Sequence, residues 1–542
     1  MRSLSGTNWA TDSSKLDPEH RMAISPAVEP ISRGRERWSH FWIIAYLLAA
    51  VFLFLGQLMT GTGVAFAAMV LLFHLLTGLT IRVLGGVWNL FGLSVGVLAL
   101  QHVTVSQIAK VIFLQPADTP LQHPLPTMLM YSLGMCGILT GALIYRFLRI
   151  DKAPSLLKEE TDARRLTVLS LIFTGLSVVR FFLLQRYGVY EGAGGGVYIG
   201  GWVGPLRQLT FITVLAVAYG TASVIISSKG RRCVGPVNFI ALITPVLAGI
   251  LGAVRADTAG VFVTFVLTCI AFQFKFRFIH YAVAVIAGYF FQFIMFPYAL
   301  YARNEGEVRI GGFEERISKA ASTLGDVITN PGKYKDIEKA KEEQERYEFQ
   351  RMRYFGRRLP TLDRYSMIIV NDEIIEATQL RGTTGWQTTE AGLEMLIPRF
   401  LNAKKEAFGT SNWIARQGKG LVGADDTYTQ ITLGYFCDGY ISFKWAGVYF
   451  FSVLISLAYF SVYHLVLGGQ LHRNVYSVSL AFLITWIFSE GTIQAQILNI
   501  VQYPIFLLMV TLPAVFLAAS LTKRWRSASH VYETSARPAQ TT

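Results

Sequence analysis

Three arginines stand at places where an apolar chain has no ordinary use for them. Arg180 closes Val178-Val179-Arg180-Phe181, Arg207 ends Gly204-Pro205-Leu206-Arg207, and Arg255 lies in Gly252-Ala253-Val254-Arg255-Ala256-Asp257. Each borders a hydrophobic run, and an ionisable side chain there is costly and points to function. A guanidinium stays charged and presents a planar fork of donors that matches phosphate oxygens. Several converging at one level would hold a pyrophosphate whose lipid tail lies in a bilayer. The competing explanation is snorkelling or local pairing, as of Arg255 with Asp257. Glu490, in Ser489-Glu490-Gly491 near Gln494 and Gln496, supplies a carboxylate that can act as a base or pair with an arginine. Gly194-Gly195-Gly196, within the Gly-rich 188–204, either brings backbone N–H groups to an anion or is a flexible turn.

The elements that must position these groups are apolar and long. Hydrophobic residues make up 52% of the chain and charged residues only 15%, against about 25% charged in a soluble domain. Runs near the ~20 residues that span a bilayer recur throughout. The expected fold is therefore an all-α polytopic membrane protein of about twelve transmembrane helices. The expected spans are 41–59, 63–81, 83–101, 128–147, 166–184, 206–226, 237–254, 258–274, 279–302, 445–467, 475–489 and 501–521. Residues 1–40, broken by Pro18, Pro26 and Pro30, are expected as a disordered cytoplasmic tail, and 522–542 as a second tail.

Charge tests that count. With the N-terminus inside, Arg82, the Arg146–Arg165 cluster, Lys229, Arg231 and Arg232, Lys275 and Arg277, Arg473, and Lys523-Arg524 all fall on the cytoplasmic side. This is the positive-inside pattern, and it accounts for a net charge of +14 without any nucleic-acid partner. The same topology puts Arg180, Arg207 and Arg255 at the outer boundary, against the trend. The four cysteines show no metal-ligand spacing, and the nine histidines form no H-x-x-x-H pair. Neither a zinc site nor a disulfide framework is expected.

One long polar interval, 303–430, separates spans 41–302 from the re-entry segment and spans of 431–521. A structureless loop of that length is improbable, so it is expected to be partly folded, mainly helical and extracytoplasmic. Residues 313–317 and 334–353 are expected as helices. Residues 364–380 are expected as an amphipathic helix, with Ile368, Ile369, Ile374 and Ile375 facing a partner or the membrane surface. A short helix over 391–401 is expected to bend or end near Pro398.

This layout resembles the O-antigen and oligosaccharide repeat-unit polymerases (Wzy-type), relatives in architecture of the O-antigen ligases. Gly252 to Asp257 is similar to the family's Gly/Ser-Arg element at an outer helix end. Ile397-Pro398-Arg399-Phe400, Lys404-Lys405, Asp426-Thr427-Tyr428 and the stretch from Gly434 to Gly447 resemble its Pro-Arg, Lys and Gly-rich re-entry pattern. A Lys-Pro pair is commoner where this chain has Lys404-Lys405. The resemblance implies a GT-C-like membrane glycosyltransferase at the bacterial inner membrane. It would move a glycan from one undecaprenyl pyrophosphate onto the sugar end of another lipid-linked repeat unit, with no nucleotide sugar, metal or other cofactor. A chain-length regulator is a further partner it admits. Arg255 and Arg399 would take the pyrophosphate, supported by Arg180, Arg207, Lys404, Lys405 and Tyr428. The base would be one of Asp425, Asp426, Asp438 and Glu490. A ligase would be expected to carry a histidine in the large loop, and 303–430 has none. A transporter of lipid-linked sugars would show repeats or broken helices at mid-membrane, whereas here the charges gather at one face.

Overall fold

A computed structural model describes residues 29–157, 160–186, 206, 209–252, 255–304, 313–330, 354–355, 362, 366–397, 410–417, 433–472 and 474–535. Among them there is no strand, only an isolated bridge between Asn89 and Gln470. The first half runs α1 (Glu29–Met59), α2 (Val64–Val83), α3 (Leu90–Ile112), α4 (Pro124–Phe147), α5 (Ala163–Arg186), α6 (Phe211–Ser227), α7 (Pro236–Gly252) and α8 (Arg255–Ala271). Next come α9 (Phe278–Phe290) and, after a π-helical turn at Phe291–Met295, α10 (Phe296–Asn304). The polar interval supplies α11 (Phe313–Thr329), α12 (Met367–Arg381), α13 (Gln387–Leu396) and α14 (Thr410–Gln417). The chain closes with α15 (Gly434–Leu467), α16 (Val475–Glu490) and α17 (Ile493–Ser535).

Eight stretches are long and apolar enough to cross a membrane: Trp42–Met59, α2, α3, α4, α5, Phe278–Ala299, α15 and Ile493–Lys523. Four apolar helices are shorter: α6, α7, Thr258–Ala271 and α16. The protein is thus a multi-pass helical membrane protein. Its first helix starts at Glu29, inside the stretch expected as a tail, and Pro30 there occupies a first-turn position where a missing N–H costs nothing.

The third span corrects the expectation. It was expected at 83–101 and lies at Leu90–Ile112. Gly85 and Gly86 take left-handed φ values of 95° and 89°, and Gly86 N donates to Ile81 O at 2.8 Å, which ends α2. Asn89 then caps the new helix, its side chain accepting from Phe91 N at 2.9 Å. The span consequently contains the polar residues Gln101, His102, Thr104, Ser106 and Gln107, all buried.

Connections gather at two ends. At one, Leu90 N donates to Gly469 O (2.7 Å), Leu471 N to Trp88 O (3.0 Å) and Leu156 N to Leu465 O (2.7 Å). His464 Nε2 donates to Ala153 O (3.0 Å), which leaves Nδ1 to accept from Tyr145 (2.9 Å). Arg146, Lys152, Lys229, Arg231 and Lys275 belong to the connections of this end, called here the basic end. The described parts of 303–430 meet the opposite end.

Packing through the middle relies on small residues. Gly137 and Gly141 of α4 press on Ser452 and Ser456 of α15, where a Cβ on Gly141 would stand 2.1 Å from Ser456 Oγ and 3.0 Å from Val453 O. Small residues at this spacing let helix backbones approach closely where lipid gives no hydrophobic drive. Gly141→Val is expected to cost about 1–3 kcal/mol through overpacking, read as a lower unfolding temperature in detergent. Gly175→Ala, where a Cβ meets nothing within 4 Å, is expected to be neutral or slightly stabilising.

Helix α12 is the second correction. It is buried on nearly every side, including Ile368, Ile369, Asn371, Asp372, Glu373, Ile374 and Ile375, so it faces neither a partner nor the membrane surface. Asp372 explains the insertion. Its carboxylate accepts from Gln122 N (2.6 Å), His123 N (2.8 Å) and Thr127 Oγ1 (2.8 Å), and so caps the N-terminus of α4. The expected helix over 334–353 lies outside the described residues. The one expected over 391–401 is α13, displaced to Gln387–Leu396 and ending two residues before Pro398.

Candidate functional site

Helix α15 is cranked near its start. Phe443 and Lys444 have non-helical angles, with Lys444 at φ 52°. The segment before the crank leaves its last carbonyls open, and the polar interval closes them. Thr384 N donates to Ile441 O (3.0 Å) and Gly385 N to Ser442 O (3.2 Å). Gly439 and Gly447 let the two arms touch, since a Cβ on Gly447 would lie 2.1 Å from Gly439 O. Trp386, at the head of α13, packs edge-on against Phe443 and Phe451.

The short arm carries Asp438, fully buried. Its Oδ2 accepts from Ile493 N at 2.7 Å, and Ile493 is the first residue of α17. An acidic group at a helix N-terminus is favourably placed. Thr388 of α13 lies within reach of the same carboxylate. Three residues before Ile493 stands Glu490, the last residue of α16 and only partly buried. Gln101 donates from Nε2 to Glu490 Oε1, and its Oε1 accepts from Ser489 Oγ at 2.8 Å. His102 Nε2 donates to Ser489 O at 2.8 Å. Gln496 donates to the carbonyls of Ile487 (2.7 Å) and Phe488 (3.2 Å), satisfying the end of α16. The α16–α17 turn is therefore held from three sides, with Glu490 oriented by an amide that is itself fixed.

Across α17 lies the cationic part. Arg180 of α5 donates from Nε to Leu206 O (2.8 Å) and from Nη2 to Thr210 Oγ1 (3.1 Å). It is thus tied to the carbonyl that precedes Arg207. Phe211 of α6 meets Tyr503 of α17 at 5.4 Å between ring centroids, and Arg180 lies within electrostatic reach of that tyrosine. The neighbouring Gln502 donates to Met395 O at 3.0 Å, at the end of α13. The polar interval therefore comes down beside Arg180, and α13 ends three residues before Arg399 in sequence. Above them Arg316 of α11 is buried and donates from Nη2 to Gln185 O at 2.7 Å. A cation at the C-terminus of α5 complements the helix dipole, and burial lowers its pKa from the ordinary guanidinium value.

Of the residues expected to act, Arg180, Asp438 and Glu490 are seen with their contacts. Arg255 begins α8, which packs beside α16 with Gly260 against Phe482, so Arg255 heads its helix at the end where Glu490 terminates α16. Nothing is described of the Arg255 side chain. Arg207, Arg399, Lys404, Lys405, Asp425, Asp426 and Tyr428 lie outside the described residues, as does the Gly-rich 188–204. Sequence reasoning missed Gln101, His102 and Arg316. The signal for the first two was present, because five polar residues in seven positions interrupt an apolar run. Placing the third span at 83–101 left Gln101 as its last residue and His102 in the loop after it. Among the described residues no three His, Cys, Asp or Glu side chains gather to a metal-sized group. No protein-family model, curated protein or solved structure matches this chain.

Proposed function

We propose that this protein is a GT-C-like glycosyltransferase that polymerises undecaprenyl-pyrophosphate-linked repeat units on the outer face of the bacterial inner membrane. All twelve apolar helical segments cross the bilayer in this reading, and both termini are cytoplasmic. The observation that carries it is the docking of α11, α12 and α13 onto the end of the bundle that holds Arg180 and Glu490. A polar cover over a partly buried arginine and carboxylate at a membrane boundary is what a lipid-anchored anionic donor and a sugar acceptor require together.

The chemistry follows from those groups. The bond between the sugar anomeric carbon and the pyrophosphate oxygen breaks as the acceptor hydroxyl attacks. Negative charge develops on the leaving pyrophosphate, and Arg255 and Arg399, supported by Arg180 and Arg207, stabilise it. Glu490 takes the proton of the acceptor hydroxyl. Asp438 sets the position of α17 relative to the carboxylate.

The test is direct. Purified protein in liposomes, given lipid-linked repeat units, is expected to produce a ladder of longer lipid-linked glycans with chelator present and no nucleotide sugar. A strict need for a nucleotide sugar or a divalent metal, or no ladder from a folded preparation, would assign the protein elsewhere.

A further inference from the structure

We infer that the basic end carries a binding site for an anionic phospholipid, in a cleft between α5, α6 and α7. The cleft holds about 800 Å³ and is lined at its mouth by Lys229, Arg231 and Arg232, with Ser227 and Ser228 beside them. It reaches along α6 as far as Gly220, and Val224 and Val234 form part of its apolar wall. Seven residues separate Gly220 from Ser227, a helical rise of about 10 Å. That depth suits a headgroup with the upper part of its acyl chains.

The mouth is built rather than merely charged. Ser228 Oγ accepts from Arg232 N at 2.9 Å and donates to Arg232 O at 3.1 Å, closing a turn that fans the three cations around one opening. Asn238 pins the far lip, accepting from Gly235 N (2.6 Å) and donating to Cys233 O (2.8 Å). Lys275 N donates to Gly230 O at 3.0 Å and ties the turn to the next connection. Lys229, Arg231 and Arg232 are exposed and make no ion pair among the described residues. The described carboxylates nearest the start of α5, Glu160 and Asp162, are engaged by Arg165 at 3.3 and 3.9 Å.

Topology signalling alone explains basic residues in this connection, but not a cleft behind them. A soluble anion would use the mouth and leave the apolar depth unfilled. Val234 of the cleft wall is itself exposed, and Phe239, Ile240 and Ile243, on the first turns of α7 after the lining residues Pro236 and Val237, also have exposed side chains, so the apolar surface runs on from the cleft along α7. Basic pockets between membrane helices recognise phosphodiester headgroups in this way.

Native mass spectrometry of the purified full chain, titrated with phosphatidylglycerol or phosphatidylcholine, tests the site. The wild type is expected to retain phosphatidylglycerol preferentially. The triple variant Lys229→Gln, Arg231→Gln, Arg232→Gln is expected to weaken that binding at least about tenfold. Ser227→Trp keeps every charge and plugs the cleft, so it gives a second reading if the triple variant fails to insert, and is expected to weaken binding to a similar degree. The pair Arg149→Gln, Lys152→Gln, at the same end but outside the cleft, is expected to bind like wild type. Millimolar inorganic phosphate should not displace the lipid. Undiminished phosphatidylglycerol binding by Ser227→Trp, equal retention of phosphatidylcholine by the wild type, or displacement by phosphate would each overturn the assignment.

Discussion

Glu490→Gln is expected to lower the rate of glycan extension by about a hundredfold or more, the range for loss of a general base, with the protein still present in the membrane at wild-type level. The substitution is close to isosteric. Gln101 Nε2, which donates to Glu490 Oε1, can donate equally to the amide oxygen, so the α16–α17 turn should persist. Nor does helix stability explain an acid at this position. Glu490 is the last residue of α16, and a negative charge at a helix C-terminus opposes the dipole. Asp438 is the contrasting case. It accepts from Ile493 N at the start of α17, the end where a carboxylate stabilises. Asp438→Ala should therefore act mainly on folding, costing about 0.5–1.5 kcal/mol for the lost hydrogen bond to Ile493 N and appearing as a lower unfolding temperature. The assay is chain extension by purified protein at matched concentration, beside a thermal melt of each variant. Wild-type extension by Glu490→Gln would remove it as the base and direct attention to Asp425 and Asp426 in the polar interval.

The arrangement of apolar segments could be read from the chain, because hydrophobic length is a local property and bilayer thickness fixes the threshold. Four further segments expected as spans fall in apolar helices, α6, α7, α8 and α16, that are shorter than that threshold. What failed depended on contacts between residues far apart. The third span was placed early because Val87, Leu90 and Leu93 look continuous with Val83, while the break comes from backbone angles at Gly85 and Gly86 that hydropathy does not register. Helix α12 reads as amphipathic because Asn371, Asp372 and Glu373 are polar. Yet Asp372 is buried to cap α4 across 249 residues of chain, and Asn371 Nδ2 donates to Tyr131 OH at 2.5 Å. No periodicity encodes either partner. Arg316 fell in a stretch, 313–317, that was expected to be helical, and nothing in its sequence marks it for burial. Its burial against the end of α5 follows only once α11 is seen lying over Phe181, Leu251 and Tyr298.

Arg255→Lys and Arg399→Lys are each expected to reduce extension by about a hundredfold or more, the loss that follows removal of one donor from a site of developing charge. Lysine preserves the charge but presents a point ammonium in place of a two-pronged planar fork. The severity of a substitution that keeps charge therefore separates a geometric clamp from simple attraction. The two residues are far apart in sequence. The fold brings their surroundings closer: α8 begins at Arg255 beside the end of α16, and α13 ends against Gln502, next to the tyrosine that Arg180 faces. Arg180→Lys is expected to be intermediate, because Arg180 already spends donors on Leu206 O and Thr210 and acts by holding the start of α6. Arg316→Lys gives the structural comparison. Losing its bond to Gln185 O in a buried setting should lower the melting temperature and the amount of folded protein, while the rate per folded molecule stays near wild type. Lys319→Gln breaks only a surface i,i+4 pair with Glu315 at 2.9 Å, worth about 0.5 kcal/mol or less, and should change neither quantity. Rates must be normalised to folded protein, since an arginine buried without its partner destabilises whatever its chemical part. Normal extension by both Arg255→Lys and Arg399→Lys after that normalisation would mean that the pyrophosphate is held elsewhere, with Arg180 and the adjoining Arg207 the next residues to test.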